Sequence, residues 1–277
     1  MMKRMTMQKA LRFGLLAILS VLFLIPFYLI VRNALMTDDQ ITSVHWQWLP
    51  IRPHLENFTE LFADPTAPML AGLINSVVIA TVTLVLQMLF SSMAGYALAR
   101  IPARGRDALF ALILATLMIP SAVTFVPTFA VVAALGGVNT RWGIIAPTVF
   151  SAFSTFLFRQ FYLRFPTEIE EAGRMDGLGY FGVYWRLLLP NSTSILMALG
   201  ILTFIGSWNS FLWPLVIGQD PSSWTVQVVL STFLTSQTMR LSELFAATVV
   251  GVAPLILVFL VMQRYIVEGA KFSGGKE

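Results

Sequence analysis

Six long stretches of the chain contain no Asp, Glu, Lys or Arg: residues 14–31, 65–99, 108–140, 142–158, 187–219 and 244–263. An ionisable side chain is expensive inside a bilayer, so charges bracket the segments that cross one. A hydrocarbon core about 30 Å thick takes roughly 20 apolar residues per helical span, and each stretch is near or above that length. A seventh uncharged stretch, 221–239, is loaded with Ser, Thr and Gln and reads as an extracytoplasmic connection instead. With 57% apolar and 12% charged residues, little is left for a soluble domain, which excludes a secreted domain, a soluble enzyme or a disordered chain. The formal charge of +4 comes from scattered Lys and Arg rather than a nucleic-acid-binding block, and the absence of cysteine removes disulfides and thiolate chemistry together.

Lys and Arg in the connections set orientation, because cytoplasmic loops carry the excess. With the N-terminus inside, fourteen of the eighteen basic residues face the cytoplasm, and Arg32, Arg52, Arg141 and Arg240 alone face outward. Six spans then leave both termini inside. Trp46, Trp48, Trp142, Trp208, Trp213 and Trp224 fall near or beyond the outer interface, where an indole buries its ring and hydrates its N–H. The first segment also has the basic start of a signal peptide, but its apolar run continues through Val31 without an evident cleavage site, so it reads as an uncleaved span. His45 and His54 sit in an extracytoplasmic loop and read as ordinary loop residues.

The spans themselves lack the carboxylate, histidine or lysine that an ion-coupled carrier uses at depth. Their polar residues are neutral: Asn75, Ser76, Gln87, Ser91, Thr116, Thr203 and Asn209. A solute crossing here meets hydrogen-bonding groups and aromatic faces, and the energy must come from elsewhere. No catalytic constellation or metal-ligand cluster is visible, and no glycine-rich nucleotide loop.

The longest inside connection, 159–186, has the signals of a short helix outside the membrane. Pro166 sets up its start, Thr167 and Glu170 fit a capping box, and Gly177 supplies a left-handed stop. Ile169, Ala172, Gly173 and Asp176 group on one small-residue face, while Glu170 and Arg174 are spaced for an exposed ion pair.

The spacing of Glu171, Ala172, Gly173, Asp176 and Gly177, followed after nine residues by Leu187, Leu188, Leu189 and Pro190, closely resembles the EAA loop of ABC importer permeases. Gly173 stands for the usual second Ala and Leu187 for the usual Ile. Further residues resemble the second permease subunit of carbohydrate importers, the MalG-like group. They are Asn75–Ser76, the run Gly95 to Arg100, Pro120 and Pro127, Phe158 to Phe161, Trp208–Asn209 with Trp213 to Leu215, and Gln263 to Tyr265.

The resemblance implies an all-α membrane protein of six transmembrane helices with the type I ABC importer permease fold. Its implied parts are an N-terminus and first span over 1–32, an outer loop over 33–68, a permease core over 69–266 with the EAA loop at 163–190, and a cytoplasmic tail over 267–277. It further implies a second permease, two ATPase subunits that bind the ATP, an extracytoplasmic solute-binding protein, and no cofactor of its own. In this reading Glu171, Ala172, Gly173, Asp176, Gly177, Leu187, Leu189 and Pro190 couple to the ATPase, with Ala172 and Gly173 setting the approach distance. Asn75, Trp208, Asn209 and Trp213 are the candidates for the solute path. The solute is a carbohydrate or polyol; a phosphorylated polyol such as glycerol 3-phosphate is the alternative, and a stand-alone carrier or channel subunit the competing class.

Overall fold

The computed structural model describes residues 2–235 and 240–274, with side chains described over 9–234 and 240–261. The side chains of 263–265 and the Gly-rich tail at 267–277 lie outside that set. Among the described residues every regular element is helical. In chain order these are α1 (Met2–Ala34), α2 (Asp38–Thr42), α3 (Glu56–Ala63), α4 (Met69–Arg100), α5 (Arg106–Thr116), α6 (Ser121–Ala134) and α7 (Arg141–Ile145). Then follow α8 (Ala152–Leu163), α9 (Thr167–Met175), α10 (Tyr180–Val183), a π turn (Tyr184–Leu188) and α11 (Leu189–Asn191). The chain closes with α12 (Thr193–Trp208), α13 (Leu212–Ile217), α14 (Val226–Thr235) and α15 (Leu241–Gly274).

Residues Lys9–Ala34, Met69–Arg100 and Leu241–Val261 are each long and apolar enough to cross a membrane as one helix. The remaining three charge-free stretches are not the straight spans their length suggests. They form bent pairs: α5 with α6 at 99°, Arg141–Thr148 with α8 at 44°, and Tyr180–Asn191 with α12 at 77°, giving up to six spans if each pair counts as one. Prolines explain the breaks. Pro120 caps α6 with extended backbone, and a residue preceding proline is pushed out of the helical region. Pro147 interrupts the entry to α8, where Ser151 restarts the helix by accepting from the Ser154 N–H at 3.1 Å. Pro190 cannot donate into its own turn; the ladder widens ahead of it into the π turn, and Asn191 Nδ2 bonds the Leu187 carbonyl at 2.7 Å.

The chain divides into two compact units, Met1–Met69 with Val229–Ala253, and Leu70–Val228 with Pro254–Glu277. In the first, the end of α1 is closed by the connection that follows it. Arg32 donates to the Gln47 carbonyl at 2.6 Å and lies 4.1 Å over the Trp46 ring, while Asn57 Nδ2 donates to the carbonyls of Ala34 and Met36 at 2.9 Å each. The last span starts earlier than its charge-free run: α15 includes Glu243, buried and paired with Arg240 at 2.5 Å, so one carboxylate does lie at a span's end, against expectation.

In the second unit, hydrogen bonds fix the direction of the helices. Arg141, at the start of α7, donates to Asn75 Oδ1 near the start of α4 at 2.8 Å, and Arg100, at the end of α4, donates to the Tyr162 carbonyl near the end of α8 at 3.0 Å. The α7–α8 pair therefore runs parallel to α4, and the chain between them must return across the same thickness, so α5 and α6 together make one crossing. Helix α12 runs back: Tyr184 before it bonds Ser92, Thr203 within it bonds Gln87, and Trp224 beyond it bonds Asn75. Two apolar clusters fill this unit, one of Tyr96, Phe158, Tyr162, Val183, Tyr184, Leu188 and neighbours, the other of Ile79, Val132, Ile144, Ile145 and Ile217. Gly95 lets α4 and α8 touch, since a Cβ there would lie 2.6 Å from Phe158 Cβ. The outward faces stay apolar, and along α1 Leu11 to Phe27 are exposed. Water would not tolerate so large an apolar surface; lipid does.

Candidate coupling loop and cavity

Helix α9 lies at the end of the second unit where α4 and α8 finish. Its start departs from the capping box. Pro166 occupies the cap position, Thr167 is the first helical residue, and no side chain bonds the free N–H groups there. Glu170 turns inward instead, to Arg100, with Nε and Oε1 2.9 Å apart and both side chains largely buried. Nor does Glu170 make the exposed pair with Arg174, whose guanidinium rests 4.6 Å over the Tyr180 ring.

Arg100 is the junction of three elements. It donates from Nε to the Tyr162 carbonyl and from Nη2 to the Phe165 carbonyl, beside the Glu170 carboxylate. Because the Nε–H is directed at Tyr162, Glu170 is held by charge rather than by an aligned hydrogen bond, and its Oε1 has no hydrogen-bond partner among the described residues. Burial pushes the Glu170 pKa up, with Arg100 and Arg174 opposing.

The far end of α9 is a Schellman stop. Gly177, at φ +84°, donates to the Arg174 carbonyl at 3.0 Å, and the Leu178 N–H donates to the Gly173 carbonyl at 3.0 Å. The left-handed backbone at Gly177 was legible from the motif. The orientation of Gly173 was not: it is buried, and a Cβ there would collide with Leu187 Cδ1 and reach Leu178 Cδ1 at 3.4 Å. Gly173 thus packs against the loop's own Leu178 and Leu187. Glu171, Ala172 and Asp176 are exposed on the other side, joined by Met175, which is 89% exposed and went unmarked in the sequence. Leu188 is fully buried beneath the loop, Leu187 and Leu189 partly so, and Pro190 is exposed at the bend.

The four path candidates separate. Asn75 is buried and fully engaged: its Nδ2 donates to the Ser222 and Trp224 carbonyls at 2.8 and 2.9 Å while its Oδ1 accepts from Arg141. Trp208 is buried and stacked on Phe204 with centroids 5.8 Å apart. Asn209 is exposed at the end of α12 and accepts from Gln227 Nε2 at 3.3 Å. Only Trp213 lines the cavity of about 240 Å³ between α4, α7 and α12. Its polar lining is otherwise Thr83 and Gln87 from α4, Thr148, and Thr203, Ser207 and Ser210. The signal was present in the spacing: Thr83 and Gln87 are four apart, as are Thr203 and Ser207, one helical face in each case.

Comparison with known proteins agrees with this architecture. The family model described as "Binding-protein-dependent transport system inner membrane component" matches residues 87–271. The arabinooligosaccharides transport system permease protein AraQ of Halalkalibacterium halodurans is 37% identical over 80% of this chain and 79% of its own. The sn-glycerol-3-phosphate transport system permease protein UgpE of Yersinia enterocolitica is 34% identical over 90% of each. The crystal structure of a bacterial ABC transporter involved in the import of the acidic polysaccharide alginate superposes with a TM-score of 0.82 at 22% identity, covering 93% of this chain and 96% of that one, a likeness of fold. The chain belongs to the family of binding-protein-dependent transport system inner membrane components: it is a multi-pass inner-membrane permease subunit of an ABC importer, a translocation component and not an enzyme.

Proposed function

We propose that this chain forms half of the transmembrane path of an importer for a carbohydrate or polyol, with a second, non-identical permease completing it. An extracytoplasmic binding protein delivers the solute, and two ATPase subunits bind and hydrolyse the ATP, so the chain needs no cofactor of its own. Both termini and α9 lie in the cytoplasm. The supporting asymmetry is the basic excess around the shared end of α4, α8 and α9, where Arg100, Arg104, Arg106, Arg159, Arg164 and Arg186 gather in sequence.

The observation that carries the reading is the two-sidedness of α9. One face is buried, Glu170 against Arg100 at the end of α4 and Gly173 against Leu178 and Leu187; the other, Glu171, Ala172, Met175 and Asp176, is exposed. A rigid helix seated in a cleft of an ATPase converts closure of that cleft into movement of the helices it is fixed to. Glu171 supplies a charged hydrogen bond at the contact, while Gly173, Gly177, Leu187, Leu189 and Pro190 keep the loop in shape. The family relationship and the carbohydrate solutes named for relatives such as AraQ support the substrate class.

The test is ATP-dependent uptake of labelled arabinooligosaccharides and other sugars into vesicles holding this chain and its co-purifying subunits, comparing wild type with Glu171→Ala at equal membrane insertion. Uptake should require ATP and the binding protein and should fall at least tenfold in the variant, the loss of one charged hydrogen bond of about 1.5–3 kcal/mol. Uptake by this chain alone without ATP would overturn the reading.

A further inference from the structure

The cavity between α4, α7 and α12 has three properties that together describe a ligand. No charged side chain lines it. Its polar groups are organised: Gln87 Nε2 donates to Thr203 Oγ1 at 3.1 Å and to Ser154 Oγ at 3.3 Å, which spends the amide N–H groups and leaves the amide oxygen as an acceptor. One donor stands without a partner among the described residues: the Trp213 indole Nε1 is buried and hydrogen-bonded to none of them, although the ring is held edge-on to Phe125 with centroids 5.5 Å apart. An indole N–H only donates, so what satisfies it must bring an acceptor oxygen.

We propose that this cavity is the chain's own contact with the solute, taking the hydroxyl-bearing face of an uncharged saccharide, with Trp213 donating from Nε1 to a sugar oxygen and Gln87 accepting from a hydroxyl. The proposal rests on the importer reading and deepens it. Hydroxyls both donate and accept, so they match Thr83, Thr203 and Ser207 as well as the two fixed groups. A phosphate would also accept from Trp213, but a buried anion needs a cation, and none lines the cavity. At about 240 Å³ the space is smaller than the roughly 300–1,000 Å³ typical of a whole ligand site, as suits one half of a path whose other wall is the second permease.

The test uses the reconstituted transporter with its ATPase and binding proteins in proteoliposomes. It measures solute moved per ATP hydrolysed for labelled arabinotriose and labelled sn-glycerol 3-phosphate. Trp213→Phe keeps the ring and deletes the donor; it should lower arabinotriose moved per ATP about 5–10-fold, the worth of one hydrogen bond to a buried donor. If that variant fails to assemble, Ser207→Ala decides, with at least a threefold loss expected. An unchanged ratio in the assembled variant overturns the proposal while the importer reading stands. So does a wild-type transporter that moves glycerol 3-phosphate and no saccharide. A wild type whose solute movement is indifferent to ATP overturns both.

Discussion

Removing Arg100 should damage the loop far more than removing Glu170, although the two form one ion pair. In Arg100→Gln the carboxylate stays in a site where its side chain is 6% exposed, and the carbonyls of Tyr162 and Phe165 lose the guanidinium. Stranding a buried charge in this way costs about 3–5 kcal/mol. In Glu170→Gln the guanidinium keeps both carbonyls, and no carboxylate charge is left to bury against the attraction of Arg100 and Arg174. The expected loss is within about 1 kcal/mol, and the double variant should recover about 1–3 kcal/mol relative to Arg100→Gln alone. The pH dependence has a definite sign. The folded state binds the Glu170 proton more tightly than the unfolded chain, whose pKa is near the ordinary 4.5, so its contribution is fully present below that value and declines as pH rises through the folded pKa. Without Arg100 the folded pKa rises further, so Arg100→Gln should be most deficient at pH 7.5 and approach the double variant near pH 5. Thermal unfolding of the solubilised complex at the two pH values, alongside solute moved per ATP, measures this. Equal losses in the two single variants, or strictly additive losses in the double, would refute the reasoning.

Two further substitutions separate packing from contact with a partner. Gly173→Ala should cost less than about 1 kcal/mol, because the atom it meets is the tip of the flexible Leu187 side chain, whereas Gly173→Trp overfills the loop by about 1–3 kcal/mol or more and Leu187→Ala should partly rescue it, read as thermal stability and coupled ATP hydrolysis. Asn75→Ala breaks bonds to Ser222, Trp224 and Arg141 and should lower stability by about 2–3 kcal/mol while leaving the relative uptake of arabinotriose and glycerol 3-phosphate unchanged.

How far the fold was legible in the sequence follows from the range of the forces involved. The charge-free runs located the membrane segments because the penalty on a buried charge acts on each residue singly. They could not show that residues 108–140 bend by 99°, since apolar composition persists through Pro120 and the break is a backbone event. In the loop, Gly177 was legible because a left-handed stop is local chemistry. The partner of Glu170 was not: Arg174 is one turn away in sequence, yet Arg100, seventy residues earlier, lies beside it. The engagement of Asn75 was not legible for a similar reason, its three partners all lying at least 66 positions distant.

The arginines gathered at the shared end of α4, α8 and α9 also act as joints, and this ties topology to mechanism. Arg100 closes α4 and donates to carbonyls at the end of α8; Arg159, in the last turns of α8, donates from Nε to the Leu98 carbonyl at the end of α4, at 3.3 Å. Each helix therefore donates to carbonyls in the last turn of its neighbour or just beyond it, and each cation sits where the neighbour's dipole is negative. Arg159 also reaches Asp107 at 3.4 Å and lies 4.0 Å over the Phe110 ring, drawing in the start of α5. Parallel helices joined at the same end cannot move independently there, and Glu170 attaches α9 to that same joint. A push delivered to α9 is thus shared by α4 and α8 together, the two helices whose residues Thr83, Gln87 and Ser154 shape the cavity and its hydrogen bonds.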